Sequence, residues 1–119
     1  MRRTPLALIA VSILQSVAVA ADVMHRLKDQ EITTRLTGME ITDEYHWAYV
    51  FGPDGKLSSV SLGKAGTGNW RVQDDELCLE RGVDPLRCYE VWIAGRKVEL
   101  RREGSPSEEA ILQKPQKRK

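Results

Sequence analysis

The stretch that decides the fold is 66-GTGNWRVQDDELCLERGVDPLRCY-89, which carries a tryptophan strand, an acidic turn and both cysteines of the chain. Trp70 and Val72 alternate with polar neighbours, as do Leu77 and Leu79. A period of two is the signature of a strand with one buried face. Asp74-Asp75 between the two runs reads as a tight hairpin turn, because short acidic side chains tolerate turn conformations. After a loop with Gly82 and Pro85, Tyr89, Val91 and Ile93 take up the alternation again.

Strand phase places the cysteines. Cys78 lies between Leu77 and Leu79, and Cys88 precedes Tyr89, so both point away from the apolar face. Opposed Cα atoms of neighbouring antiparallel strands lie roughly 4.5–5.5 Å apart, within disulfide reach. A Cys78–Cys88 bridge across this hairpin is therefore expected. The rival reading, a thiol or metal pair, has no CxxC spacing behind it and only His25 and His46 as imidazole partners.

Outward from this stretch the meander continues in both directions. Toward the N-terminus, Tyr45, Trp47, Tyr49 and Phe51 alternate and predict an aromatic strand face. The turn Gly52-Pro53-Asp54-Gly55 follows, then a strand over residues 57–62 with Val60 and Leu62 on one side, then a glycine-rich connection over 63–68. Toward the C-terminus, Ala94-Gly95 turns the chain into a strand carrying Val98 and Leu100. Ahead of the meander, residues 24–38 mix a helical spacing (Ile32, Leu36) with β-branched residues, and we read a short helix at roughly 29–37 ending at Gly38. Residues 108–113 read as a helical turn.

The fold expected is mainly β (α+β). It is an antiparallel meander of about 6–8 strands forming a small open barrel or lipocalin-like half-barrel, with one short N-terminal helix and one disulfide.

The first twenty residues have a separate logic. Arg2 and Arg3 precede an apolar run over residues 6–14, and Ala18-Val19-Ala20 is a small-x-small site. This is the pattern of a secretory signal peptide cleaved after Ala20 or Ala21. The run is shorter than the roughly 20 residues a membrane span needs. The expected organisation is a signal peptide at 1–20, one β domain at 21–104 and a flexible basic tail at 105–119. Export implies a periplasmic or secreted chain and an oxidising compartment that suits a disulfide.

The formal net charge is +1. Lys114, Lys117, Arg118 and Lys119 concentrate positive charge at the end, so the body between Ala21 and Leu112 is acidic. An acidic body argues against nucleic-acid binding, which needs a basic face. The tail could touch anionic surfaces.

The order of GPDG (52–55), GTGNW (66–70), LCL (77–79) and CY (88–89) resembles a family of small exported bacterial domains. In that family a helix ending in Leu-x-Gly precedes a "pDG…GxW…LC…Cy" meander, and Leu36-Thr37-Gly38 fits the leading element. The resemblance spans roughly residues 27–102. It implies a lipocalin-like or open-barrel fold, no catalytic residues to carry over and no established biochemical activity.

Candidate chemistry is sparse. No serine sits in a nucleophile elbow, and the cysteines are expected to pair. Asp74, Asp75 and Glu76 lack the ordered spacing of a calcium loop. The glycine run at 63–68 lacks the GK[ST] ending of a phosphate loop. No catalytic residue, metal or cofactor is assigned.

Trp47, Tyr49, Phe51, Trp70 and Tyr89 are the candidate ligand-lining residues. They are core if the sheet closes over them and a concave apolar pocket if it stays half-open. Trp92, out of core phase on the cysteine face, either covers the bridge or offers a contact surface. The reading is a monomeric, non-enzymatic binding or interaction module, with an envelope protein as partner. A carrier of a small apolar ligand is the alternative, and a hydrolase a distant third.

Overall fold

The computed structural model describes residues 2–13 and 23–117. Residues 2–13 are exposed and carry no regular structure, and the expected cleavage site lies outside the described residues.

From residue 23 on, one sheet contains almost everything. Its strands are β1 (His25–Arg26), β2 (Glu40–Thr42), β3 (Trp47–Phe51), β4 (Lys56–Ser61), β5 (Lys64–Gln73), β6 (Glu76–Arg81), β7 (Arg87–Ala94), β8 (Lys97–Arg101) and β9 (Glu108–Gln113). One helix, α1 (Asp29–Leu36), follows β1. All pairings are antiparallel. β2 to β9 close on themselves through β2–β9 and β7–β8, giving an eight-stranded barrel with β1 as a ninth strand beside β7. Full closure removes the exposed edges that an open sheet would leave.

The register fixes what lies inside. Phe51 opposes Leu57, Leu57 opposes Gly68, and Gly68 opposes Arg81. Trp70 opposes Leu79, and Leu77 opposes Tyr89. Opposed residues share a face. The interior is therefore continuous through Ile41, Tyr49, Phe51, Leu57, Trp70, Leu77, Leu79, Tyr89, Val91, Ile93, Val98, Leu100, Ala110 and Leu112, all buried. Phe51 meets Trp70 edge-on at 5.3 Å between ring centroids, and the Trp70 indole N–H donates to the Gly52 carbonyl at 2.9 Å.

The two ends differ. The connections β3–β4, β5–β6 and β7–β8 lie at one end, together with α1. Leu27, Ile32 and Leu36 are buried in the core there and plug the barrel. The helix forms because Asp29 and Glu31 occupy its first turn and Arg35 its last, which suits the macrodipole. It stops at Gly38, whose φ of 77° only glycine takes up readily and whose N–H donates to the Phe51 carbonyl. The β5–β6 hairpin turns on Asp74 and Asp75 with φ of 51° and 57°, the positive values of a two-residue type I′ turn.

Cys78 opposes Cys88 across β6 and β7, and the two form a disulfide on the outer face, as strand phase predicts.

Four expectations change. Residues 108–113 form strand β9, not a helical turn, and the sheet passes the expected boundary at residue 104 into the expected flexible tail. Local pattern missed it because Glu108-Glu109 hides the short Ala110/Leu112 alternation. The run at 63–68 is largely strand, since β5 starts at Lys64. In β4 the phase is the reverse of the expected one. Leu57, Ser59 and Ser61 oppose inward Phe51, Tyr49 and Trp47, while Val60 faces outward and Leu62 sits exposed in the turn. Tyr45 belongs to the β2–β3 loop and is 86% exposed, not a member of the aromatic strand face.

Candidate functional site

The expected aromatic set divides along the barrel axis. Phe51 and Trp70 fill the plugged half and are buried in mutual contact. Tyr49 is buried two residues nearer the other end on β3, and Tyr89 is buried opposite Leu77. Trp47, half-buried, lies at that end with its ring 4.7 Å from the Tyr49 ring. The structure thus brings Trp47 and Tyr49 together at the mouth and commits Phe51 and Trp70 to the core.

Trp92 lies on the outer wall with the cysteines, as its phase predicts. Its half-buried ring is covered by the Arg101 guanidinium at 4.0 Å, and its indole N–H donates to Glu90 at 3.0 Å. Glu90 also faces Arg26 at 3.7 Å, and Arg101 pairs with Glu99 at 2.7 Å. The bond from Arg101 holds the Glu99 carboxyl below its usual range. Trp92 is thus embedded in a ladder of charges.

The mouth contains a residue that the sequence reading passed over. Arg81 continues the inward phase of Leu77 and Leu79, and opposes inward Gly68. It is half-buried and reaches from β6 across the interior to β3. There its guanidinium lies over the Tyr49 ring at 5.2 Å and donates to the Tyr49 hydroxyl. Such a cation over an aromatic face is worth about 0.5–2 kcal/mol, more where water is excluded. Burial pushes the Tyr49 hydroxyl above its usual pKa; the Arg81 charge opposes this, and Glu108 reinforces it. The period-two spacing of residues 77, 79 and 81 is the signal that could have found Arg81.

Small residues clear the space around it. Ser59 opposes Tyr49, Gly66 opposes Ser59, and Ser61 opposes Trp47, all in inward phase. Arg87, opposite Leu79, and Glu108, opposite Leu100, are exposed at the same end with inward phase.

The rim is apolar in a way the plugged end is not. The loops β2–β3, β4–β5, β6–β7 and β8–β9 converge here. Among the described residues from 24 onward, the exposed large hydrophobic side chains are Tyr45, Leu62, Val83 and Leu86, and all four stand on this end. The β2–β3 loop is organised around one carboxylate. Asp43 Oδ1 accepts the backbone N–H groups of Tyr45, His46 and Trp47, and Oδ2 meets His46 Nδ1 at 2.8 Å. A cleft of about 490 Å³ beside this loop, on the outer wall, includes Tyr45, His46, Val98 and Ile111.

Among the described residues no group of three or more His, Cys, Asp or Glu is placed to hold a metal ion, and no helix is long and apolar enough to cross a membrane. Lys114 and Lys117 follow β9, which ends at the plugged end, opposite the mouth.

Comparison of the chain with protein-family models, with curated proteins and with solved structures finds no match.

Proposed function

We propose that this chain is a monomeric, non-enzymatic binding module of the periplasm or extracellular space, and that it engages its partner through the unplugged end of the barrel. The observation that carries the reading is the asymmetry of the two ends. One is sealed by α1 and tight polar turns. The other carries the exposed apolar side chains Tyr45, Leu62, Val83 and Leu86 around a half-buried arginine and a tilted Trp–Tyr ring pair. Apolar patches rimmed by polar groups mark interaction surfaces, and Arg, Tyr and Trp dominate binding hot spots. The disulfide supports an oxidising compartment. The GPDG turn and the Cys78–Cys88 hairpin support kinship with the small exported domains that the sequence resembles.

A photo-crosslinking residue placed at Val83 or at Asp54 tests this reading in envelope extract of the producing cell. Adducts from Val83 and none from Asp54 are expected. Equal adducts from both positions, or none from either, would remove the open end as the interface.

A second reading, a carrier of small apolar ligands, rests on the half-exposed Trp47 in ring contact with Tyr49. Native mass spectrometry of the purified protein would show retained lipid or metabolite.

A further inference from the structure

Arg81 poses a chemical problem. A guanidinium presents five N–H donors in a planar fork and accepts none. In the barrel it spends one of them on the Tyr49 hydroxyl. Among the described residues no carboxylate lies within 4.0 Å of it, although Arg26, Arg101 and His46 each have such a partner. A half-buried cation with a phenol on one side and a free fork on the other is a receptor for an anion, and a carboxylate fits that fork bidentately.

The surroundings say what the carboxylate is attached to. Trp47 lies against Tyr49 on the mouth side. Ser59, Ser61 and Gly66 leave the adjoining β4–β5 wall low. Above these stand the exposed Tyr45, Leu62, Val83 and Leu86. A ligand with its charge at Arg81 would therefore run past an indole and out through an apolar rim. Arg87 adds a second positive charge at the same end, and Glu108 a negative one that a bound carboxylate must face.

We infer that the open mouth is a carboxylate-binding subsite, with Arg81 as anchor and Tyr49 holding it in place, and that its ligand is a small amphipathic monocarboxylate whose apolar part lies along Trp47 and the rim. This rests on the mouth being the binding end, and it names the chemistry of what binds there. The Arg81–Tyr49 pair positions the charge. The aromatic pair supplies apolar contact above the packed core, so the tail of the ligand stays at the rim and does not enter the core.

The three tryptophans make the test direct. The Trp70 indole N–H is bonded to Gly52 and the Trp92 indole N–H to Glu90, whereas Trp47 stands at the mouth. Octanoate and 1-octanol are titrated separately into ¹⁵N-labelled full chain, and the three indole resonances are followed. Octanoate is expected to move the Trp47 signal saturably, leaving Trp92 in place, and to bind at least about tenfold more tightly than octanol, as one charge-assisted pair requires. Arg81→Met should remove that advantage while leaving octanol unchanged. Arg81→Lys should restore part of it, and Glu108→Gln should strengthen octanoate binding. Unchanged Trp70 and Trp92 resonances certify that each variant is folded.

Equal binding of octanoate and octanol, or octanoate binding indifferent to Arg81→Met, would overturn the carboxylate subsite. It would leave the open end standing as an interface if the Val83 adducts form. No shift of Trp47 with either probe would also overturn the subsite, and the crosslinking result would then decide the wider reading alone.

Discussion

Asp29 and Asp75 clasp each other. The Asp75 carboxylate accepts the Asp29 backbone N–H at 2.8 Å, and the Asp29 carboxylate accepts the Asp75 backbone N–H in return. One residue opens the helix and the other sits in the β5–β6 turn, so the clasp joins the plug to the barrel. Arg26 adds a bond from its guanidinium to the Asp75 carbonyl at 3.1 Å. The acidic turn, expected as a plain hairpin turn, is therefore also a structural fastening.

Asp75→Ala and Asp29→Ala should each lower stability by about 1 kcal/mol, the usual worth of a cap or a net hydrogen bond. The double variant should cost less than the two singles together, because releasing either bond already frees the junction. Urea denaturation of the three variants measures this. Strict additivity would mean that the two bonds act independently.

Replacing both cysteines by alanine should cost up to about 3 kcal/mol, since the bridge closes a loop only ten residues apart in sequence. The register of β6 against β7 does not depend on the bridge alone, because Leu77 opposes Tyr89 inside the core. The variant should therefore melt at a lower temperature with an unchanged far-ultraviolet circular dichroism spectrum at room temperature.

Gly68 and Gly66 should respond differently to alanine. A Cβ at Gly68 would sit 2.0 Å from the Glu80 carbonyl oxygen, which belongs to a backbone that cannot yield. A Cβ at Gly66 would meet only the Ser59 hydroxyl, at 2.9 Å. Gly68→Ala should cost more than about 2 kcal/mol, in the range reserved for steric conflict in a packed region. Gly66→Ala should cost clearly less, and thermal melts separate the two.

Trp70→Phe should cost about 1–3 kcal/mol. It leaves the Gly52 carbonyl without its indole donor and opens a gap beside Phe51. The loss should appear as a lower denaturant midpoint with little change in slope.

Asp43 should contribute to the acid limb of stability. Burial raises its pKa, but the backbone amides of Trp47, His46 and Tyr45 and the His46 ring outweigh burial and hold it well below the usual carboxylate range. A depressed folded-state pKa contributes stability that is complete above the unfolded value, roughly 3.9 for Asp, and is lost as pH falls toward the folded value. The stability difference between the wild-type chain and Asp43→Asn should be flat above about pH 5 and shrink below about pH 4. A difference that instead grows on acidification would reverse the sign of this assignment.

Period-two phase carried most of the fold into view. It put Trp70, Leu77, Leu79 and Tyr89 inside and Cys78, Cys88 and Trp92 outside, while the four-residue spacing of Ile32 and Leu36 and the stop at Gly38 put the helix at the right place. It failed where side chains stop announcing their face. In β4 the inward positions beyond Leu57 are serines, so Val60 drew the phase the wrong way. Tyr45 continued an aromatic rhythm that the Asp43-centred loop interrupts. β9 escaped because its evidence is non-local: Ile41 needs Leu112 as an opposite, and no neighbour in sequence says so. The mouth was half legible. Trp47 and Tyr49 were found as aromatics, while Arg81 was overlooked because a charged residue at the end of an apolar alternation looks like the start of a loop.

The position of β9 also sets the order of assembly. The seam that closes the barrel pairs Glu40 with Gln113, across nearly the whole length of the domain. Until β9 has emerged from whatever synthesises or conveys the chain, β2 and β8 are bare edges, and such edges invite pairing with other chains. Non-local closure of this kind is slow relative to local hairpins. The hairpin held by the cysteines can form early, but the finished barrel waits for its last strand. A nascent or truncated chain lacking residues 108–113 should thus be the species most in need of a chaperone.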